Sequence, residues 1–340
     1  MKKINKPGRW VYQLDFSEVY ALSCTIMLLV IVFRFNKTGV FYLFEYFEND
    51  SAYYEAMVSY FRSGKIFERL SDPFVYRPLL PFLASLLPFD PLTAINLMNV
   101  IFLFLSVLLL QLISVHFRFS LVLALLGNLF FVLSFPLFYY GTIGLIEPGL
   151  IFLLLTSLYF SIKGKFIENM LLFLPGILMK ETFIIALPVL WIYMYRHQVS
   201  VKKAFFLNIG ILALITVSML IARNWSPAGG LYVWSFQPQF FLDNVSRSRT
   251  WISGLLALGI PGIISLLGIA WQGRSWLIQH FPLYAGLFLS VLLFFYSIMS
   301  AHSDGRFLWL SYPYTIPLAL FTIRAWKENA ANTHCNNNLS

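Results

Sequence analysis

The sequence predicts an all-α, polytopic integral membrane protein, and three observations carry that prediction. The 340 residues are 59% hydrophobic and 18% aromatic, with only 11% charged. Apolar runs of about 20 residues, the length that spans a hydrocarbon core, recur through nearly the whole chain and leave no polar half for a soluble domain. The runs are continuous rather than alternating with a period of two, so helices, not barrel strands, satisfy the backbone in lipid.

Taken in order, Met1-Lys2-Lys3 resembles the start of a signal peptide, but the apolar run begins only near Tyr20, lacks a small-residue cleavage site and ends at Arg34. Residues 19–35 are therefore expected to be a retained first helix. Residues 36–90 form a long polar loop. Within it, 51–62 reads as an amphipathic juxtamembrane helix: Tyr53, Met57, Tyr60 and Phe61 share one face, and Glu55, Ser59 and Arg62 another. Asp50 or Ser51 is placed to cap it and Gly64 to stop it, and such a helix is expected to lie on the membrane surface, aromatic side down. Tyr76-Arg77-Pro78-Leu79-Leu80-Pro81 then opens a half-helix over 79–88, too short to span.

Further spans are expected at 91–114, 120–138 and 143–161. The apolar stretch 167–195 is interrupted by Lys180-Glu181 and is too long for one crossing, so it divides into 167–179 and 182–195. Spans at 204–222, 252–272, 281–300 and 306–323 follow, with a second long loop at 223–250 and a polar tail at 325–340. The expectation is a single transmembrane domain over 1–340 with about ten crossings and both termini on one side.

Thirteen of the 24 Lys and Arg fall on the side of the termini against four of the 15 acidic residues; the other side holds eleven of each. The basic excess marks the first side as cytoplasmic. The net charge of +9 is scattered singly between apolar runs, which fits topology determinants and not a nucleic-acid surface, and neither P-loop nor haem signatures occur. Cys24 and Cys335 offer neither a disulfide framework nor metal-type spacing.

With this topology Glu45, Glu48, Asp50, Glu55, Arg77, Glu147, Lys180, Glu181, His302, Asp304 and Arg306 all reach the extracytoplasmic end. Ionisable groups at membrane depth are expensive, so a shared location suggests a shared cavity. Ordinary loop placement accounts better for residues such as Glu45, but less well for Glu147 and Lys180-Glu181, which apolar residues flank on both sides. An interfacial Arg77 suits bidentate phosphate binding, or merely snorkels.

The first helix, the acidic residue Asp50 before an aromatic amphipathic helix, "YRPLLP" introducing the next span, and Gly176 with Lys180-Glu181 between two short helices together resemble the GT-C type membrane glycosyltransferases. That superfamily includes the protein mannosyltransferases and the bacterial lipid A aminoarabinose transferases. The likeness covers most of the chain as topology, but about 40 residues of the first loop as motif. Many members carry a soluble carboxy-terminal domain, whereas this sequence ends in "KENAANTHCNNNLS", so it resembles a minimal version.

The resemblance implies sugar transfer from a lipid-phosphate-linked donor, a polyprenyl phosphate, to an envelope, lipid or protein acceptor on the outer face, in a multi-pass cell-membrane protein more like those of a bacterial inner membrane than of the endoplasmic reticulum. Asp50 matches the first-loop acid that deprotonates the attacking hydroxyl. Arg77, Lys180 and Arg306 are candidates to stabilise the leaving phosphate. Tyr53 and Tyr54, and less readily Trp234, can stack on sugar faces. Glu147 can orient the acceptor, and Glu181, His302 and Asp304 complete the candidate substrate-binding set. No metal ligands are assigned; a divalent cation is left open, since two acids fall short of a hard-cation shell, and no organic cofactor is expected. Membrane lipids are expected neighbours, nucleic acid is not, and the oligomeric state is not readable.

A transporter or flippase of a lipid-linked or anionic solute also fits charged groups facing a cavity, although its charges belong nearer mid-membrane and its halves often repeat. A polysaccharide polymerase shares lipid-linked substrates without needing the first-loop acid. A non-enzymatic scaffold has no use for Lys180-Glu181 inside an apolar stretch.

Overall fold

The computed structural model describes residues 15–36, 47–65, 70, 73–225, 237–300 and 305–337. Among them every regular element is helical and no strand occurs.

The first helix, α1 (Phe16–Asn36), starts in a reciprocal cap: the Glu18 amide donates to Asp15 Oδ1 (2.9 Å), and the Asp15 amide donates to Glu18 (2.8 Å). The amphipathic helix α2 runs Phe47–Ser63 and stops at Gly64, whose φ is +68°. A short 3₁₀ turn, Phe74–Tyr76, leads to α3 (Leu79–Ser85) and then α4 (Pro91–His116). Asp90 caps α4, accepting from the Thr93 amide at 3.0 Å, with Pro91 in the first turn where its missing N–H is harmless.

The expected span 120–138 is two helices, α5 (Leu121–Val132) and α6 (Phe135–Tyr140), because Ser134-Phe135-Pro136 supplies a fresh cap and a first-turn proline. A first-turn proline, here without a side-chain cap, also marks the start of the next helix, α7 (Glu147–Ile162), at Glu147-Pro148 and not at 143. The span expected at 167–179 is likewise broken, into α8 (Phe166–Leu171) and α9 (Phe173–Met179). Lys180 is extended, a 3₁₀ turn covers Glu181–Ile185, and α10 runs Ala186–Arg196.

After α11 (Val201–Trp225) and the short α12 (Pro238–Ser246) comes α13 (Ser248–Gln279), followed by α14 (Phe281–Ser300), α15 (Arg306–Trp309) and α16 (Tyr312–Asn337). α1, α4, α11, α13 and α14 are long and apolar enough to cross a membrane, and α5, α7 and α8–α9 are shorter apolar helices. The chain is an all-helical membrane protein.

α13 is broken twice, at Gly259 (φ +61°) and Gly273 (φ +74°), backbone states that glycine alone adopts readily. Its buried face, Ser253, Gly254, Ala257, Pro261, Gly262, Ser265 and Gly268, is almost entirely small residues. Such a face lets helix backbones approach closely, and α13 packs along α16, with Ser265 Oγ donating to the Thr315 carbonyl at 2.9 Å. α1 is tied in by polar bonds inside the bundle: Gln111 donates to the Phe16 carbonyl (2.5 Å) and Asn128 to Ser23 (3.1 Å). With lipid as the solvent such bonds, rather than expulsion of water, specify where a helix docks.

Two expectations for the first loop change. α2 begins at Phe47, so Asp50 lies inside its first turn and is not its cap. Nor does α2 lie free on a membrane surface. Tyr54, Met57 and Val58 are fully buried, and the helix packs on α3 and α4. Arg62, on the expected polar face, reaches across to the carbonyls of Ala84 (3.3 Å), Ser85 (3.2 Å) and Leu87 (2.7 Å) at and just beyond the end of α3. α3 itself ends three residues short of the expected 88.

Candidate functional site

Three ion pairs gather where α2, the Phe74–Tyr76 turn, α7, the α9–α10 break and α15 meet. The local sequence explains each position. Glu147 is the first residue of α7, where a carboxylate meets the positive end of the helix dipole. Lys180 is the C-cap of α9, where a cation meets the negative end. Gly144 has φ +80°, and a Cβ there would stand 2.7 Å from Ser51 Cβ, so only glycine lets α2 come this close to the start of α7. The turn is held from α4 by Asn96, which accepts from the Gly144 amide (2.9 Å), and by Asn99, which donates to the Leu145 carbonyl (2.7 Å).

Lys180 Nζ lies 2.7 Å from Glu147 Oε1, and both side chains are under 5% exposed. Arg306 Nη1 donates to Asp50 Oδ2 at 2.5 Å, with about a sixth of each side chain exposed. Arg77 donates from Nε to Glu181 Oε2 (2.9 Å), from Nη2 to Glu181 Oε1, and from Nη1 to the Tyr54 hydroxyl (3.2 Å). The pairs form one electrostatic system: Glu147 feels both Lys180 and Arg306, and Tyr54 feels Arg77, Glu147 and Asp50. Among the described residues, the three cations and three carboxylates of these pairs sum to zero.

Two aromatic rings form the floor. Phe307 lies 5.0 Å from Lys180 Nζ and 5.7 Å from the Arg306 guanidinium carbon. Phe74 stacks on Tyr53 at 4.4 Å, meets Tyr54 edge-on, and lies 5.8 Å from the Arg77 guanidinium. Cations held over ring faces gain most where water is excluded. Glu147 Oε2 and Thr182 Oγ1 are buried without a hydrogen-bond partner among the described residues. Buried polar atoms are normally satisfied, so these two are places for a polar ligand group or water.

An apolar groove of about 830 Å³ runs between α10, α13 and α14. Its lining includes Ile192, Leu266, Leu277, Phe281, Phe288 and Phe295. Phe281 and Phe295 are 14 positions apart on α14, about 21 Å at 1.5 Å per residue. Leu308 is among the lining residues and follows Phe307 in sequence.

The structure thus brings Asp50, Tyr53, Tyr54, Arg77, Glu147, Lys180, Glu181 and Arg306 together. His302, Asp304, Glu45 and Trp234 lie outside the described residues. Arg77 differs from its expected interfacial setting: its side chain is 5% exposed and Glu181 fills its fork, so it clasps the first loop to the α9–α10 break. Among the described residues no three His, Cys, Asp or Glu side chains converge as a metal site. No protein-family model matches the chain, and neither known curated proteins nor solved structures match it. Sequence reasoning missed Phe74, Phe307 and Gly144. Phe307 carried a usable signal, following Arg306 directly, and Gly144 stood in the turn "YYGTIGLIEPG".

Proposed function

We propose that this protein is a membrane glycosyltransferase that moves a sugar from a polyprenyl-phosphate donor to an acceptor hydroxyl on the extracytoplasmic face. One juxtaposition carries the reading: a cluster of buried and half-buried charges over Phe307, whose chain neighbour Leu308 lines a lipid-length apolar groove. The groove suits the polyprenyl chain, and Lys180 and Arg306 suit the phosphate, whose charge grows as the sugar departs. Asp50 is the general base, taking the proton of the attacking hydroxyl while the bond from the sugar to phosphate oxygen breaks. Its Oδ1 makes no hydrogen bond among the described residues, while Arg306 holds Oδ2. Glu147 Oε2 is an acceptor for a sugar hydroxyl. Tyr53, half-buried on Phe74, offers a face for the sugar ring.

Transport of a lipid-linked anion is the second reading, favoured by the two glycine breaks in α13 alongside the groove. The test is Asp50→Asn at matched membrane abundance in cells lacking the wild-type chain, with envelope glycans and glycolipids read by mass spectrometry. Loss of one sugar modification is expected. Full retention removes Asp50 as the base and favours transport.

A further inference from the structure

The groove between α10, α13 and α14 is open to its surroundings: Phe281, Phe288 and Phe295 on its wall are between 46% and 61% exposed. In a bilayer such an opening fills with a lipid chain whatever else the protein does, so what the structure selects is the headgroup. That choice is made where α14 begins. Arg196, in the last turn of α10, lies on the same helix face as the lining residue Ile192. Its Nη2 donates to the carbonyls of Ile278 (2.8 Å) and Gln279 (2.9 Å), which stand in sequence between the lining residues Leu277 and Phe281. The guanidinium is thereby fixed at the Phe281 end of the groove, while Nε and Nη1 make no hydrogen bond among the described residues. Tyr195, beside it, is 84% exposed, and exposed tyrosines collect at headgroup level.

A second guanidinium lies near the same end, because His280, just before Phe281, feels both Arg196 and Arg324. Arg324 is held over the rings of Phe119 (5.2 Å) and Phe321 (5.1 Å) and reaches the Phe117 carbonyl at 3.4 Å. Among the described residues neither arginine has a carboxylate partner. Glu168 faces Lys165, Asp15 and Glu18 cap α1, and Glu328, a turn beyond Arg324, makes no ion pair. The flanking sequences 1–14 and 331–340 carry four Lys and Arg and no acidic side chain. Capping α13 uses only Nη2, and a topology determinant needs no fixed position, so neither role explains two uncompensated guanidinium groups at a groove end. We propose that the groove holds one anionic phospholipid, its acyl chain between α10, α13 and α14 and its phosphate against Arg196, with Arg324 adding to the field. A guanidinium matches phosphate oxygens, and basic pockets between helix ends select anionic headgroups. The inference goes beyond the glycosyl-transfer reading and stands without it. A polyprenyl donor's phosphate belongs at Lys180 and Arg306, whereas this lipid's belongs at Arg196, and such a donor would displace this acyl chain from the groove.

The experiment is native mass spectrometry of the detergent-purified full chain with dioleoyl phosphatidylglycerol and dioleoyl phosphatidylcholine, whose acyl chains are identical. Wild type should retain the anionic lipid about tenfold more strongly, and Arg196→Gln should cut that preference to about twofold. Lys203→Gln removes one charge from the start of α11, outside the groove walls, and should keep the wild-type preference. Equal retention of the two lipids by wild type overturns the site. So does an equal loss of preference in both variants, which would be bulk charge and not a fixed guanidinium. Because Arg196 also holds the end of α13, wild type supplies a second reading that needs no variant. Phosphatidylglycerol with a photoactivatable diazirine in its acyl chain, crosslinked in phosphatidylcholine bilayers and mapped by peptide mass spectrometry, should label residues 281–295 above the other helices. Excess unlabelled phosphatidylglycerol, but not phosphatidylcholine, should suppress that label. Labelling spread evenly over the helices, or suppressed alike by both lipids, refutes the site. Sugar transfer enters none of these readouts, so the lipid site and the enzymatic reading fail separately.

Discussion

Replacing Lys180 with Met leaves Glu147 as a buried carboxylate with its counter-ion gone. The Lys180 ammonium sits 2.7 Å from Glu147 and 5.0 Å from the Phe307 ring, and neither charged side chain can turn to water. Breaking a buried pair from one side costs about 3–5 kcal/mol. Arg306 lies within reach of Glu147 and compensates in part, which places Lys180→Met near about 3 kcal/mol. Glu147→Met should cost more, towards about 5 kcal/mol, because it leaves Lys180 facing Arg77 and Arg306. The double replacement removes one charge of each sign, keeps the remaining pairs balanced, and should return to within about 1 kcal/mol of wild type. The assay is reversible unfolding in mixed micelles by dodecyl sulfate titration, followed by fluorescence of the nine tryptophans. Single variants as stable as wild type, or a double variant no better than the worse single, would refute the reasoning.

Gly144→Ala should cost about 1–3 kcal/mol in backbone strain alone and unseat α2, because the new Cβ meets Ser51 at 2.7 Å and Leu92 at 2.9 Å. Hydrogen exchange across 51–63 should accelerate while α13 is unchanged, and equal protection of α2 in both proteins counts against the close approach. At α4, the Thr93 hydroxyl and amide hold the Asp90 carboxyl below the usual carboxylate range. A depressed folded value means that the cap stabilises fully above the unfolded value of about 3.9 and is lost as pH falls through the folded value. Exchange of the Thr93 amide should therefore speed up below about pH 4 in wild type and show no such step in Asp90→Asn. Matching acid profiles would exclude the cap as the cause.

The helical class was legible because apolar runs of spanning length need no tertiary information. The gathering of Glu147, Lys180 and Glu181 was legible for a related reason: charges inside apolar stretches need partners, and partners must meet. The breaks were harder. Ser134-Phe135-Pro136 and Glu147-Pro148 are local restart signals that a hydropathy window averages away. Gly259 and Gly273 look like any glycines of a membrane helix, and only the contact with α16 and the course of the backbone show what they permit. Asp50 was read as a cap from its neighbours, whereas its partner arrives from the far end of the chain. Arg77 was placed at an interface because Glu181, 104 positions away, is invisible to any local pattern.

Those separations set an order of events during synthesis. Glu147 and Lys180 are 33 positions apart and can meet once the helices between them have emerged. Arg77 waits for Glu181, and Asp50 waits across 256 positions for Arg306. Until the last part of the chain leaves the ribosome, Asp50 has no cation of its own and the charge balance of the cluster is incomplete. Loops that span so much of a chain close late and slowly. A product truncated before Arg306 would therefore hold most of its helices and two of the three pairs, with Asp50 left without that cation, and quality-control proteases that sense unpaired charge within lipid would have a clear mark by which to know it.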